Sequence, residues 1–594
     1  MPWFRYGDGD RHGAIFRAID RCKMQRSAVD QSMADAVALH GGSPYVGWTT
    51  DKLNEVRSPT NLVRRVTSAL VSETVQNKPR PFFLTNRADW AKRKKCERIN
   101  DWCAGLFDQA GVDRVMARVA ADAILFGTGF VKCLSEFGRV IFQRVLPNEV
   151  FVDQQDGLYG APRELFQVRF YDRYHAAELW PDKREQILGA ASPGGEWHLG
   201  RDTDCDQIIV AEAWRLPSGP DAKDGVHTIC IDGETLHDGE WTRDIFPIRE
   251  LVWDLAPLGF YGVGVAEILR GSQASLNRLN RVIDEAQYLA GSFRIFLPRG
   301  AKIAKNHLTN RAGDIVEFDG ASPPVFATAP AVSPELYNER QWHTQNAFEE
   351  VGVSQLAVQA QKPAGLNSGR ALRVFADHQS KRFLRWQQDY EQAHVDLARM
   401  AVAEMRDIAD SDADTKVRFK ASGGYDLIDW KDVELPDDDL QIDVYPTGLL
   451  PNTPAGRLQT LDEMAQSGLA DKLGMGPEVI AKLIDFPDLK AATRQFTAPS
   501  ELVEQTLSRM LDDGEYVSPE PYWNLSACVQ LGALALQSAQ LDGAPEDRLE
   551  LLRQFISDAS ALAAPPTEPP PPAPPTEAPP PPMPGPEMPP AMPN

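Results

Sequence analysis

The sequence predicts a helix-rich α+β fold, and three observations carry that prediction. Apolar residues recur at helical spacing over several long segments, as in Leu62, Val63, Val66, Leu70 and Val71. Runs suited to strands, such as Phe130 to Leu134, Val140 to Val145, Gln207 to Ala211 and His227 to Ile231, lack the alternation with helices that builds a parallel sheet. Between two helical segments near the middle lies a small insert with turns at Pro298-Arg299-Gly300 and Asp319-Gly320.

Residues 1 to about 80 read as helical, and the clearest helix is expected to begin with Ser58 as N-cap and Pro59 in the first turn. Lys78-Pro79-Arg80-Pro81 stops it. A helix from Val112 to Leu125 ends at Gly127-Thr128-Gly129 and leads into a hairpin around Phe137-Gly138-Arg139; mixed helix and strand continue from Leu165 to about Ile248. After Gly262 and Gly264 a helix runs to about Ala290. Val265, Ile268, Leu269, Leu276, Leu279, Ile283, Ala286 and Ala290 form its apolar stripe, and Glu267, Gln273, Asn277, Arg281 and Asp284 lie opposite. Such a helix is roughly 40 Å long. The insert, Ser292 to about Pro334, has strand-like Phe293 to Leu297, Asp314 to Phe318 and Val325 to Ala327, and a helix from Glu335 to about Glu350 returns from it. Helix, β insert and returning helix describe a projecting finger.

Residues 355 to 368, with Pro363 and Gly365, read as a flexible loop. Ser368 can cap a helix carried from Gly369 to about Asp407, with Leu372, Phe375, Phe383, Trp386, Tyr390, Ala393, Leu397, Ala401, Met405 and Ile408 along its apolar face. At roughly 60 Å it is long enough to be an architectural spine. Strands are expected at Lys416 to Phe419 and Leu440 to Tyr445, and a series of shorter helices at Thr453 to Asp512, followed by helices at Leu525 to Leu541 and Glu546 to Leu562. From Pro565 to Asn594 proline dominates, so an exposed polyproline-like or disordered tail is expected.

Composition narrows the function. The net charge is -22 over 594 residues, which argues against a surface that wraps nucleic acid, because such binding needs many cations to displace counterions. Seven cysteines without a C-x-x-C pair signal neither a disulfide framework nor a zinc site. No signal-peptide pattern opens the chain and no apolar run reaches roughly 18 residues, so neither secretion nor membrane spanning is expected. Local charge departs from the average. No acid lies between Glu285 and Asp314, where Arg294, Arg299, Lys302, Lys305 and Arg311 occur; a second acid-free window, Val351 to Ala376, carries Lys362, Arg370 and Arg373. These windows suit either a partner protein or a polyanion.

Catalytic signatures fail in turn. The histidines are too far apart in sequence for H-x-x-x-H or H-x-H ligation, and no phosphate loop of the form G-x-x-x-x-G-K-[ST] exists. Gly262-Val-Gly264 and Gly127-Thr-Gly129 lack a third glycine, Glu267 and Lys132 standing there, and read as helix-entry or turn glycines. Asp410, Asp412 and Asp414 begin like a calcium loop, but Thr415 and Ala421 stand where its glycine and glutamate belong. No enzyme, cofactor or metal is expected.

From Asn61 onward the order of parts resembles the portal proteins of tailed bacteriophages, over roughly residues 55 to 500. Five points carry the resemblance: Asn77-Lys78-Pro79-Arg80-Pro81; Asp122 to Gly129; Val145 to Asp153; Gly262-Val-Gly264 entering a helix with Gln273 and Asn277; and Ser368-Gly369-Arg370-Ala371. They are diffuse patterns without a catalytic signature. The resemblance implies a ring, usually a dodecamer, with wing, stem, clip and crown regions around a DNA channel. It divides the chain into a variable N-terminal arm (1–54), wing (55–262), first stem helix (263–291), clip (292–334), second stem helix (335–352), tunnel loop (353–368), long wing helix (369–410), wing β segment (411–449), crown-like helices (450–563) and proline-rich tail (564–594).

Carried over residue by residue, Lys362, Asn367 and Arg370, and more weakly Gln359 and Gln361, become channel contacts. Arg373 belongs either to the channel or to a neighbouring subunit. Arg294, Arg299, Lys302, Lys305 and Arg311 become the partner-docking residues of the clip. The implied partners are further copies of the chain, double-stranded DNA read without sequence preference, the terminase large subunit, head-completion, adaptor and tail proteins, and the major capsid and scaffolding proteins, with no membrane. The implied location is the portal vertex of the virion, with host cytoplasm during assembly. The proline tail and short crown depart from the family pattern. A head-tail adaptor or other virion structural protein without a channel is the alternative reading.

Overall fold

Stacked layers of helix and antiparallel sheet organise the first of two compact units, Met1–Gln466 and Ser467–Asn594. The computed structural model describes residues 2–41, 60–76, 78–85, 90–191, 205–219, 222–291, 294–296, 325–327, 333–352, 383–411, 416–421, 424–432, 440–445, 487–563 and 585. The chain is α+β and helix-rich.

Helices α1 (Asp8–Gln25) and α2 (Ser27–His40) open the first unit. Between them the buried Arg26 donates to the carbonyls of Pro147, Asn148 and Val150 and pairs with Asp30. Residues assigned in sequence to an N-terminal arm are thereby tied to the turn at 147–150. Helix α3 (Leu62–Gln76) begins later than predicted. Residues 60 and 61 are not helical, and Asn61 caps the helix by accepting from the Arg64 amide at 2.8 Å. Ser58 and Pro59 lie outside the described residues.

Strand β1 (Arg80–Thr85), at a segment read from sequence only as a helix stop, pairs antiparallel with β14 (Leu440–Tyr445). Its centre is held by Asn100, which accepts from the Phe83 amide at 2.6 Å and donates to the Phe83 carbonyl at 3.1 Å. Helices α4 (Trp90–Ala110) and α5 (Val112–Phe126) meet at Gly111. The predicted hairpin is β2 (Thr128–Glu136) with β3 (Arg139–Val145); β9 (Ile248–Val252) joins the other edge of β2. A second antiparallel sheet runs in chain order through β4 (Val150–Phe151), β5 (Glu164–Asp172), β6 (Gln207–Arg215), β7 (Val226–Ile231) and β8 (Glu234–Glu240), with α6 (Arg173–Leu179) and α7 (Arg184–Gly189) after β5.

The predicted helix after Gly264 is broken at Leu269 into α8 (Val265–Ile268) and α9 (Arg270–Gly291). Strands β10 (Arg294–Phe296) and β11 (Val325–Ala327) pair antiparallel before α10 (Pro334–Val351). The predicted strand at 314–318 lies outside the described residues. Helix α11 (Leu384–Ser411) is the described part of the predicted spine, whose residues 369–382 fall outside them. Strand β12 (Lys416–Ala421) pairs with an unpredicted β13 (Gly424–Asp429).

Period-two alternation explains the layers. Val131 and Cys133 of β2 join α3, α4, α5 and α11 in one core, which includes Leu70, Trp102, Met116, Trp386, Tyr390 and Leu397. Phe130 faces the other way and packs with Leu165, Trp214 and Phe260 between the two sheets. Phe166, Val168, Ala211 and Ala213 on the outer face of the second sheet are covered by Ile15, Ile19 and Cys22 of α1. Each buried large aliphatic or aromatic side chain stabilises this arrangement by about 1.5–3 kcal/mol.

In the second unit α12 (Pro487–Asp512), α13 (Leu525–Leu541) and α14 (Glu546–Ala563) pack together, with Val503, Leu507, Met510, Cys528, Leu552 and Phe555 buried. Over 487–512 a single helix continues through Pro499 where shorter helices were predicted, because a proline inside a helix removes a backbone donor and reads as a break. The predicted tail lies outside the described residues except Gly585.

Candidate functional site

The finger predicted from sequence is a pair of antiparallel helices carrying a β ribbon at its far end. Its base is set by backbone contact between two glycine motifs. A Cβ on Gly264 would stand 2.2 Å from the Leu125 carbonyl oxygen, and one on Gly127 would stand 2.2 Å from that of Gly262. Gly127 also has φ 98, a region that disfavours other residues. The two G-x-G segments are thus one joint between the end of α5 and the start of α8.

Gln273, assigned in sequence to a polar stripe, is buried. Its side chain accepts from the Leu62 amide at 2.8 Å and donates to the Thr60 carbonyl at 2.8 Å and to Asn277 at 2.9 Å. It fastens α9 to the start of α3 and satisfies one of the amides that a helix start leaves free. Beyond it Leu276, Leu279 and Ile283 are buried, as are Ala347 and Phe348 on α10. Ser272 donates to Glu350 at 3.1 Å near the base, and Gln287 donates to Tyr337 at 2.6 Å toward the tip. Ser333 caps α10 through the Glu335 amide, Pro334 occupies its first turn, and Gly352 in the left-handed conformation ends it. The 22 residues of α9 make a rod of roughly 33 Å.

Of the predicted site residues, Arg294 lies in β10 opposite Ala327. Arg299, Lys302, Lys305, Arg311, Gln359, Gln361, Lys362, Asn367, Arg370 and Arg373 lie outside the described residues.

A second constellation lies between the two sheets, where the apolar packing gives way to a cavity of about 300 Å³. Lys132 is buried on the same face of β2 as Phe130; it donates to Gln167 at 3.1 Å and pairs with Glu212. His227 Nε2 lies 3.0 Å from the other Glu212 oxygen, and its ring stacks on Trp214 with centroids 5.4 Å apart and planes within 4°. Burial raises the Glu212 carboxyl, but Lys132 and His227 more than offset this and bring it down to about 2. Toward the rim Arg243 bridges Glu404 and Asp407 of α11 and lies over the Trp241 ring. The sequence reading missed this set. Its signal was a charged residue at a β2 position whose alternation predicts an apolar side chain, in a strand whose period was otherwise clear.

Among the described residues no group of three or more histidine, cysteine, aspartate or glutamate side chains could hold a metal ion, and no helix is long and apolar enough to cross a membrane. No family model matches the chain. No curated protein matches it either.

Proposed function

We propose that the chain is the subunit of a tailed-phage portal ring, which forms the channel for packaging and ejecting the genome. The observation that carries this reading is the finger: α9 leaves a glycine-packed base, β10 and β11 form a ribbon beyond it, and α10 returns alongside. In this reading α9 and α10 are the stem, the ribbon is the root of the clip, α11 is the wing spine, and α12 to α14 belong to the crown. The five segments that resemble the family come from distant parts of the sequence, and two of them, around Gly127 and Gly264, touch.

The physics of a conduit agrees with the composition. DNA must slide, so many simultaneous phosphate contacts would oppose each step and make it strongly salt-dependent. A chain of net charge -22 with two short basic windows supplies few such contacts. Lys362, Asn367 and Arg370, with Gln359, Gln361 and Arg373, are then the channel candidates, and Arg294, Arg299, Lys302, Lys305 and Arg311 the docking candidates for the terminase motor and later the adaptor. The ring itself performs no ATP hydrolysis in this scheme.

Electron microscopy of the purified chain tests the proposal. A closed ring of about twelve copies with an axial hole wide enough for duplex DNA is expected. Reproducible small oligomers without a through-hole, in the presence of the capsid and scaffolding partners, would overturn it in favour of a non-channel adaptor.

A further inference from the structure

We propose that the cavity between the two sheets binds a small organic cation, a primary ammonium or guanidinium group, through the carboxylates of Glu136, Glu404 and Asp407 and the indole walls of Trp180 and Trp241. This inference does not rest on the ring and applies equally to a monomer.

Charge sets the sign. The lining carries Glu136, Glu212, Glu404 and Asp407 against Lys132 and Arg243, so the carboxylates outnumber the lysine and arginine by two. Glu212 is fully engaged, one oxygen with Lys132 and the other with His227. Glu404 and Asp407 share a single guanidinium, each through one oxygen, which leaves each with a second oxygen to accept from a ligand. Excess negative charge in a partly desolvated recess attracts a cation more strongly than the same charge on an open surface.

The walls favour an organic cation over a metal ion. Trp180, Trp214, Trp241 and Tyr171 contribute aromatic surface to the lining. Cations of the protein already use it: Lys132 Nζ lies 4.9 Å from the Trp214 ring centre and the Arg243 guanidinium 5.1 Å from that of Trp241, both within the range of cation–π attraction. Trp180 meets Tyr171 edge-on, and both residues are half-buried, so an entering cation finds part of their aromatic surface there. The volume of about 300 Å³ is at the lower end for small-molecule sites.

Trp214 bears on the source of the cation. The residue is buried, yet its Nε1 has no hydrogen-bond partner among the described residues, whereas the Trp241 Nε1 donates to the Ile245 carbonyl. Buried donors are nearly always satisfied. An ammonium or guanidinium group carries no acceptor for this donor, which only a ligand that also brings a carbonyl satisfies. The ammonium or guanidinium has two sources, a free amine or a lysine or arginine side chain of a partner, and the latter also brings a peptide carbonyl as acceptor.

Titration of the full chain, followed by indole fluorescence and calorimetry, tests the proposal. The probes are agmatine, the capped tripeptide acetyl-Gly-Arg-Gly-amide, and glutarate as an anionic control. One saturable site per chain is expected for agmatine or the tripeptide and none for glutarate. Tighter binding of agmatine identifies a free amine as the source; tighter binding of the tripeptide identifies a side chain. Asp407 is 66% exposed, so Asp407→Asn leaves the fold intact. It is expected to weaken binding about threefold, and the double variant with Glu136→Gln about tenfold. Absence of saturation with both cations, saturation by glutarate instead, or affinities that these substitutions leave unchanged would each overturn the proposal.

Discussion

His394 lies on the buried face of α11, with Nδ1 2.8 Å from the Tyr390 carbonyl and Nε2 without a hydrogen-bond partner among the described residues. Burial holds its pKa down, from the ordinary 6.5 to about 4. Below pH 6.5 the unfolded chain takes up a proton that the folded chain refuses until about pH 4, so stability present above pH 6.5 is lost as pH falls toward 4. Between pH 7 and pH 5 this one group removes about 2 kcal/mol. Denaturant unfolding at the two pH values should show that loss in the native chain and a smaller one in His394→Leu. Gln273 makes a second prediction at this scale. Gln273→Leu strands the Leu62 amide and should destabilise the first unit by about 1–3 kcal/mol in thermal unfolding. Neither role was legible in sequence. Gln273 fell on the polar side of a helical stripe, and only the docking of α3 against α9 buries it.

The helices were the most legible elements, because a stripe that recurs every three or four residues is written within the segment itself. The boundaries of α5, α10, α13 and α14 agree with the sequence reading to within one or two residues. Strands β1 and β13 were not predicted. β1 exists because β14, far away in the chain, and Asn100 of α4 satisfy its backbone groups, and β13 because the neighbouring β12 does so. The joint beneath the finger shows the same limit: the two G-x-G segments were each read as local turns, and their mutual contact explains both. Gly264→Ala forces a Cβ against a carbonyl oxygen and should destabilise the base of the finger by about 3 kcal/mol. Hydrogen exchange should then quicken in α8 and the first turns of α9 while α13 and α14 keep their protection.

At the scale of the whole molecule, the division into two units predicts two calorimetric transitions. Removing residues 467–594 should abolish one and leave the other within a few degrees, and a single unchanged transition would show that the units melt together. The sequence by itself determined the helix-rich α+β class, the finger's order of helix, β insert and helix, the acidic surface and the two basic windows, since each depends on local spacing or on composition. Tertiary structure alone decided which strands pair beyond the β2–β3 hairpin, that two sheets stack face to face, and that the inward position of Lys132 meets Glu212 and Gln167 in a cavity instead of in a dry core. The physical reason is that burial and charge pairing depend on which residues the fold brings together across the chain, and no window of sequence contains both partners.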